Sequence, residues 1–310
     1  MNVIPIVFAF DNKIVDPACV CMTSLMEHAQ ANTCYHFIIV HSPKEQINKL
    51  HLNKIPQKYS NCTIRYIEID NTFEKSFEIR GVTIATYYRL LLADLIPEYD
   101  KVIYSDVDII YRMDLSDIYN VDIENYYLAA TLDLGLNYLD KSYISQSSIL
   151  EFGQYIQAGF AIFNLKKIRE DNMVTVFKEH AIHKKYTYQD QDILNICCKG
   201  KIKYLPPCYN VNDCAYLVLQ TPEKIKGKFT EYECDFAKSH GNIHFSGKKP
   251  WKENSIFMDI WWEFYRKSPI YDVDFHFQHF FNKTFLLDTI SLWDRIKLLV
   301  RYFVYGRAKI

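Results

Sequence analysis

Residues 102–110 read VIYSDVDII. Val102, Ile103 and Tyr104 run into two carboxylates, Asp106 and Asp108, and Ile109 and Ile110 follow at once. An unpaired carboxylate is costly to bury, so a stretch this apolar needs something to compensate its acids. In extended chain, residues i and i+2 project to the same side. Two carboxylates placed so make a short oxygen clamp for a hard divalent cation. The competing reading is an ordinary Asp-containing turn after a strand. The apolar run continuing through Tyr111 weighs against it, because a solvated turn has no use for it.

The apolar pattern repeats toward the N-terminus. VIPIVFAF (3–10), CYHFIIVHS (34–42) and CTIRYIEID (62–70) read as buried strands. Between them lie helical spacings: VDPACVCMTSLMEHAQ (15–30) with Asp16 as N-cap, KEQINKLHLNKI (44–55) and TIATYYRLLLADLI (83–96). With KVIYSDVDII (101–110) as a fourth strand, the alternation predicts an α/β fold with an open, mostly parallel sheet flanked by helices. Further on, YYLAATLD (126–133) and QAGFAIFNL (157–165) read as strands, and 166–185, 189–198 and IFMDIWWEFYRK (256–267) as helices. Ligands of open α/β sheets bind beyond the carboxyl ends of the strands. Asp11, Asp106, Asp108 and Asp133 all gather at that edge in this reading.

Composition bounds the class. The chain has 310 residues, 49% hydrophobic, enough for a large core plus an extension. A net charge of −1 gives no footprint for nucleic acid. Nine cysteines, an odd number without a repeated CxxC, argue against a disulfide framework or structural zinc and fit reduced thiols in the cytoplasm. The opening MNVIPIVFAFDNK has no basic stretch before a long apolar one, so no signal peptide is expected. No run of about 18 uncharged apolar residues predicts a membrane span. Residues 282–310 are the exception in charge, with six basic and two acidic residues. There Leu286, Ile290, Trp293, Ile296, Val300 and Phe303 recur at helical steps. That pattern predicts either an interfacial helix on an anionic membrane or a helix packed on the body.

Four other stretches carry chemistry. NIHFSGKKPW (242–251) offers His244, which would turn two aspartates into an Asp2His set suited to Mn2+, then Gly247 and a lysine pair for a phosphate. YTYQDQDILNICC (186–198) starts a helix with Asp190 and Asp192, where carboxylates also serve as plain caps. Gln191 between them is a neutral hydrogen-bonding group. Arg89 stands on an otherwise apolar helix, either at the surface or drawn to the acidic edge. Ala158-Gly159 interrupts a strand, a place where a ligand or another backbone comes close.

In this order, TYYRLLLADLIPEYDKVIYSDVDII (86–110), YQDQDILN (188–195) and HFSGKKPW (244–251) resemble the retaining glycosyltransferases of family 8, the group of the bacterial lipooligosaccharide α-galactosyltransferases and the glycogenins. The resemblance implies a GT-A fold over residues 1–255, followed by a helical, basic and aromatic extension over 256–310. It implies a UDP-sugar-dependent hexosyltransferase that moves galactose or glucose to a glycan or glycolipid, in lipopolysaccharide or other surface polysaccharide synthesis, with Mn2+ or Mg2+ as cofactor. By that resemblance Ala9 and Asp11 meet the uridine, and Arg89, Asp106 and Val107 the donor. Asp106, Asp108 and His244 hold the metal, and Gly247 and Lys249 meet the diphosphate. Ala158, Gly159, Asp133, Asp190 and Gln191 surround the transferred sugar, the last three as catalytic candidates. It also implies a cytoplasmic location, with 282–310 as the candidate for contact with the inner membrane face.

Three positions depart from the family pattern. The tyrosine expected five positions after the match to Ala9 is Ile14, the asparagine before Ala-Gly is Gln157, and the glycine-to-lysine spacing is one residue shorter, which leaves Lys248 as the alternative to Lys249. Two other function classes stand beside this reading: a metal-dependent nucleotidyltransferase, and a sugar-nucleotide binding protein without catalysis.

Overall fold

The apolar runs assemble into a seven-stranded sheet in a computed structural model that describes residues 2–43, 46–69, 73, 84–146 and 150–305. Its strands are β1 (Asn2–Ala9), β2 (Thr33–His41), β3 (Cys62–Glu68), β4 (Lys101–Ser105), β6 (Leu128–Leu132), β7 (Ile156–Asn164) and β8 (Ile202–Tyr204). A separate two-stranded sheet pairs β5 (Ile109–Ile110) with β9 (Ile243–His244). The large sheet runs β3-β2-β1-β4-β7-β6-β8. All its neighbours pair parallel except β7, which is antiparallel to both β4 and β6. The strand order reverses between β1 and β4, and such a switch point opens a crevice beyond the strand ends.

Successive residues of a strand face opposite sides. On β1, Ile4, Ile6 and Phe8 enter one apolar cluster and Val7 the other; on β4, Ile103 enters the first and Val102 and Tyr104 the second. Burial on both faces explains why these strands read as unbroken apolar runs rather than alternating ones. The helix Val15–His28 covers the first face, with Cys19 and Cys21 fully buried as small core residues. The helices Leu165–Glu170, Met173–His183 and Gln189–Cys197 supply apolar residues to the second face.

Several expected elements change. The stretch expected as one strand over 101–110 breaks at Asp106-Val107-Asp108, and its two halves join different sheets. The expected helix over 83–96 is a 3-10 helix over Ile84–Leu91 with one α-helical turn, Leu92–Leu95. The 166–185 helix splits where Asn172 turns left-handed, at φ 52°. In place of one helix over 44–55, two short helices form, Lys49–Leu52 and Lys54–Lys58. Asp16 does not cap its helix: a 3-10 turn over Asn12–Ile14, capped by Asp11, leads in earlier and leaves Asp16 in the first turn. Residues 44–45, Asp70, Thr83 and 306–310 of the expected elements lie outside the described residues.

The helix Met258–Lys267 sends Trp261, Trp262, Phe264 and Tyr265 into the same core as β1. Two further helices follow, Val273–Thr289 and Leu292–Tyr305, parted at Ile290, so the apolar steps of 282–310 span two helices. Trp293 (72%), Phe303 (81%) and Val304 (62%) stand exposed on the second. Among the described residues no helix is long and apolar enough to cross a membrane.

Ile103 is fully buried in the central strand β4. Ile103→Ala is expected to destabilise the fold by about 2–5 kcal/mol in urea unfolding. A loss under about 0.5 kcal/mol, the scale of an ordinary surface change, would contradict its place in the core.

Candidate active site

The break in VIYSDVDII builds the site. β4 ends at Ser105, and the Asp106 N–H makes one more bond, to Gly159 O at 2.7 Å. The chain then turns and pairs again at β5, where Ile109 lies opposite His244. Phe245 N–H donates to Asp108 O at 2.9 Å. This second pairing brings an imidazole from far along the chain to the two aspartates. His244 Nε2 lies 3.1 Å from Asp108 Oδ1 and 3.7 Å from Asp106 Oδ2. Ligand atoms of all three residues lie within 4.8 Å of one another. Gly159 makes the approach sterically feasible, because a Cβ there would stand 2.7 Å from Asp106 Oδ2 and meet the His244 ring.

Arg89 is drawn inward, at 5% exposure. Its guanidinium donates to Asp106 Oδ1 (2.8 Å) and Ala158 O (2.6 Å), pairs through Nε with Asp190 Oδ2 (2.9 Å), and sits 4.1 Å from the centre of the Tyr104 ring. Burial alone would lower its pKa, but Asp106 and Asp190 outweigh that and raise it. Asp190 also accepts a hydrogen bond from Thr86 Oγ1. Burial pushes the Asp190 carboxyl up to about 6, against the opposing pull of Arg89 and Thr86. Gln189, just before it, is left-handed at φ 44°. Such backbone costs of order 1 kcal/mol and collects at functional sites.

Gln191 links the two sides of the pocket. Its Oε1 accepts from Ala158 N–H (3.0 Å), and its Nε2 donates to Asp133 Oδ2 (3.3 Å). Burial raises the Asp133 pKa, while the Leu136 N–H and Gln191 oppose the rise. Asp192 is a support instead, accepting from the hydroxyls of Tyr143 and Tyr155 at 2.5 Å each and from Tyr188 N–H. Arg89, Asp106, Gln157, Gly159, Asp190 and Gln191 line one cavity of about 150 Å³.

Lys249 Nζ lies 2.5 Å from both Asp108 Oδ2 and Phe245 O. Burial opposes ionisation of Asp108, yet the Lys249 ammonium against it holds its carboxyl well below the usual carboxylate range. Lys248 takes the other side of the loop, where with His244, Gly247, Asp213 and Arg301 it borders a cavity of about 520 Å³. Ala9 ends β1 at the switch point, and Asp11 follows, its Oδ1 engaged by Lys13 N–H. Val107 is buried in the first apolar cluster. The sequence reading does not single out Thr86 or Asn210. Thr86 sits three residues before Arg89, a spacing that could have pointed to it. Asn210 lies in the irregular 200–250 segment, where no periodicity marks an inward side chain.

The profile of glycosyl transferase family 8 matches residues 5–255. The chain belongs to this family. A putative glycosyltransferase of Haemophilus influenzae is 29% identical over 85% of this chain and 83% of its own length. A lipopolysaccharide 1,2-glucosyltransferase of Escherichia coli is 27% identical, over 81% and 75%. Among solved structures, the galactosyltransferase LgtC in complex with donor and acceptor sugar analogues aligns with a TM-score of 0.71 and 25% identity, over 88% of this chain and 99% of that one. The mixed seven-stranded sheet with its flanking helices is thus a GT-A fold, and the protein is a glycosyltransferase.

Removing Arg89 leaves Asp106 and Asp190 without their shared cation. Arg89→Met is expected to cost about 3–5 kcal/mol in urea unfolding. Adding Asp190→Asn to that variant should restore part of the loss; strictly additive losses would contradict the pairing.

Proposed function

We propose that this glycosyltransferase moves galactose or glucose from a UDP-hexose to a glycan or glycolipid acceptor, with retention, in the synthesis of lipopolysaccharide or another surface polysaccharide. The Asp106–Asp108–His244 cluster carries the reading, because it adjoins the pocket that holds Asp190 and Gln191. The lipopolysaccharide glucosyl- and galactosyltransferases among its relatives support the product class. Family membership sets the nucleotidyltransferase alternative aside.

The cluster fits a divalent cation on its own chemistry. Asp108 Oδ1 is buried and has no hydrogen-bond donor, and it faces an imidazole nitrogen. Two carboxylates and an imidazole suit Mn2+ better than an all-oxygen set would, and Mg2+ is the alternative. Bound there by Asp106, Asp108 and His244, the cation supplies Lewis-acid stabilisation of the charge that grows on departing UDP.

The remaining roles belong to the same proposal. Lys249 adds a fixed ammonium on the Asp108 side, and Gly247 leaves room for the diphosphate. Ala9 and Asp11, with Val107, border the nucleoside end at the β1/β4 switch point. Ala158, Gly159 and Asp133 enclose the hexose, and Gln191 offers it a neutral amide. In a same-face substitution the acceptor hydroxyl attacks the anomeric carbon as UDP departs, and its proton passes to the leaving phosphate oxygen. Asp190, ionised above about pH 6, stabilises positive charge on the sugar and is the nucleophile in the alternative double displacement. The exposed apolar row of Leu292–Tyr305, with Arg295 and Lys297 on the same helix, supports peripheral contact with an anionic membrane at the cytoplasmic face.

A panel of UDP-sugars, read by UDP release with and without a chelator, tests this function. UDP-galactose or UDP-glucose should be consumed in a metal-dependent way, and Asp190→Ala should lower kcat by more than about tenfold. Folded protein that turns over neither sugar with any divalent cation would leave a binding protein instead. Deleting 282–310 should abolish sedimentation with anionic liposomes while UDP-sugar hydrolysis persists; a truncated chain that still sediments would remove the tail from membrane contact.

A further inference from the structure

A line of buried amides connects the backbone of β7 to the imidazole of His244. The Gly159 N–H donates to Gln157 Oε1 at 2.6 Å. Asn210 Nδ2 donates to the same oxygen, and Asn210 Oδ1 lies 2.9 Å from His244 Nδ1. Gln157, Asn210 and His244 are 9%, 5% and 2% exposed, so water offers these groups little alternative.

The polarity of the line is fixed at its backbone end. A main-chain N–H can only donate, so Gln157 must turn its oxygen to Gly159. That oxygen needs a donor from Asn210, which must present its NH2. The Asn210 oxygen is then left facing His244, and His244 Nδ1 must carry a proton to meet it. A neutral ring with its proton on Nδ1 keeps a lone pair on Nε2. Nε2 is the atom that faces Asp108 Oδ1 and Asp106 Oδ2.

The alternative tautomer would work against cation binding. With its proton on Nε2, the ring would donate to Asp108 Oδ1, satisfy that oxygen and occupy the space between the ligands. We propose that Gln157 and Asn210 are positioning residues that hold His244 in the Nδ1–H tautomer and so keep Nε2 open as a metal ligand. This rests on the divalent-cation site argued above. It also gives a role to Gln157, where the family pattern has asparagine. The longer side chain reaches both the Gly159 N–H and Asn210.

The test is 15N NMR of the histidine rings in metal-free full-length protein at alkaline pH, where imidazoles are neutral, with His244 assigned by its loss in His244→Gln. Calorimetric titration with Mn2+ accompanies it. The wild type should show the Nδ1–H tautomer. Asn210→Leu should lose that preference and bind Mn2+ about 10- to 100-fold more weakly, the usual effect of removing a ligand's hydrogen-bond partner. Gln157→Met frees the Asn210 amide to rotate and should shift both readouts the same way if Asn210→Leu does not fold. Gln157→Glu retains an acceptor for both donors and should keep the tautomer. A wild-type Nε2–H tautomer, or folded Asn210→Leu and Gln157→Met proteins with wild-type tautomer and Mn2+ affinity, would overturn the proposal. A wild type with the Nδ1–H tautomer that binds no divalent cation would overturn the cation site itself while upholding the tautomer assignment.

Discussion

Four carboxylates, Asp106, Asp108, Asp133 and Asp190, converge beyond one end of the sheet, and the fold must answer their repulsion. It answers them in three ways. Arg89, buried between them, takes Asp106 and Asp190 together. Lys249 takes one oxygen of Asp108. Asp133 receives neutral donors, from Gln191 and the Leu136 N–H. What stays uncompensated is Asp108 Oδ1, buried without a hydrogen-bond partner and facing His244 Nε2, which also lies 3.7 Å from Asp106 Oδ2. Buried acceptors without donors are expensive, and a divalent cation is the chemistry that relieves them.

Strand topology makes this concentration of charge possible. β4 lies next to β1 at the reversal of strand order, so its end opens on a crevice. The chain leaves the main sheet at Asp106 and enters a second, small sheet at Ile109, and this exchange holds the intervening aspartates between two pairings. The apolar residues on either side of the acids are therefore two anchors, not one continued strand. Ile109 opposite His244 fixes the imidazole at the same time as it fixes Asp108.

The sequence carried the fold class well, because strands buried on both faces leave apolar runs that resist other readings. It carried less of the pairing. Nothing in QAGFAIFNL tells that β7 runs antiparallel to both its neighbours, and nothing in VIYSDVDII marks the exchange between sheets. Helix boundaries failed where local geometry intervened, at the left-handed Asn172 and in the 3-10 turns of Ile84–Leu91. At the site, the motif residues Asp106, Asp108 and His244 were legible by type and order, as was the pocket group of Arg89, Asp190 and Gln191. Their supports were not. Thr86 and Asn210 act through side-chain hydrogen bonds across the fold, and such contacts leave no periodic trace in a chain.

The central claim is that Asp106, Asp108 and His244 form one cation site that works together with the nucleoside diphosphate. Electron paramagnetic resonance of Mn2+ titrated into the protein, with and without UDP, measures it most directly. One site per chain, at least about tenfold tighter with UDP and absent from an Asp106→Asn, Asp108→Asn double variant that remains folded, is the predicted result. Mn2+ binding that ignores UDP, or that survives in the folded double variant, would contradict the account.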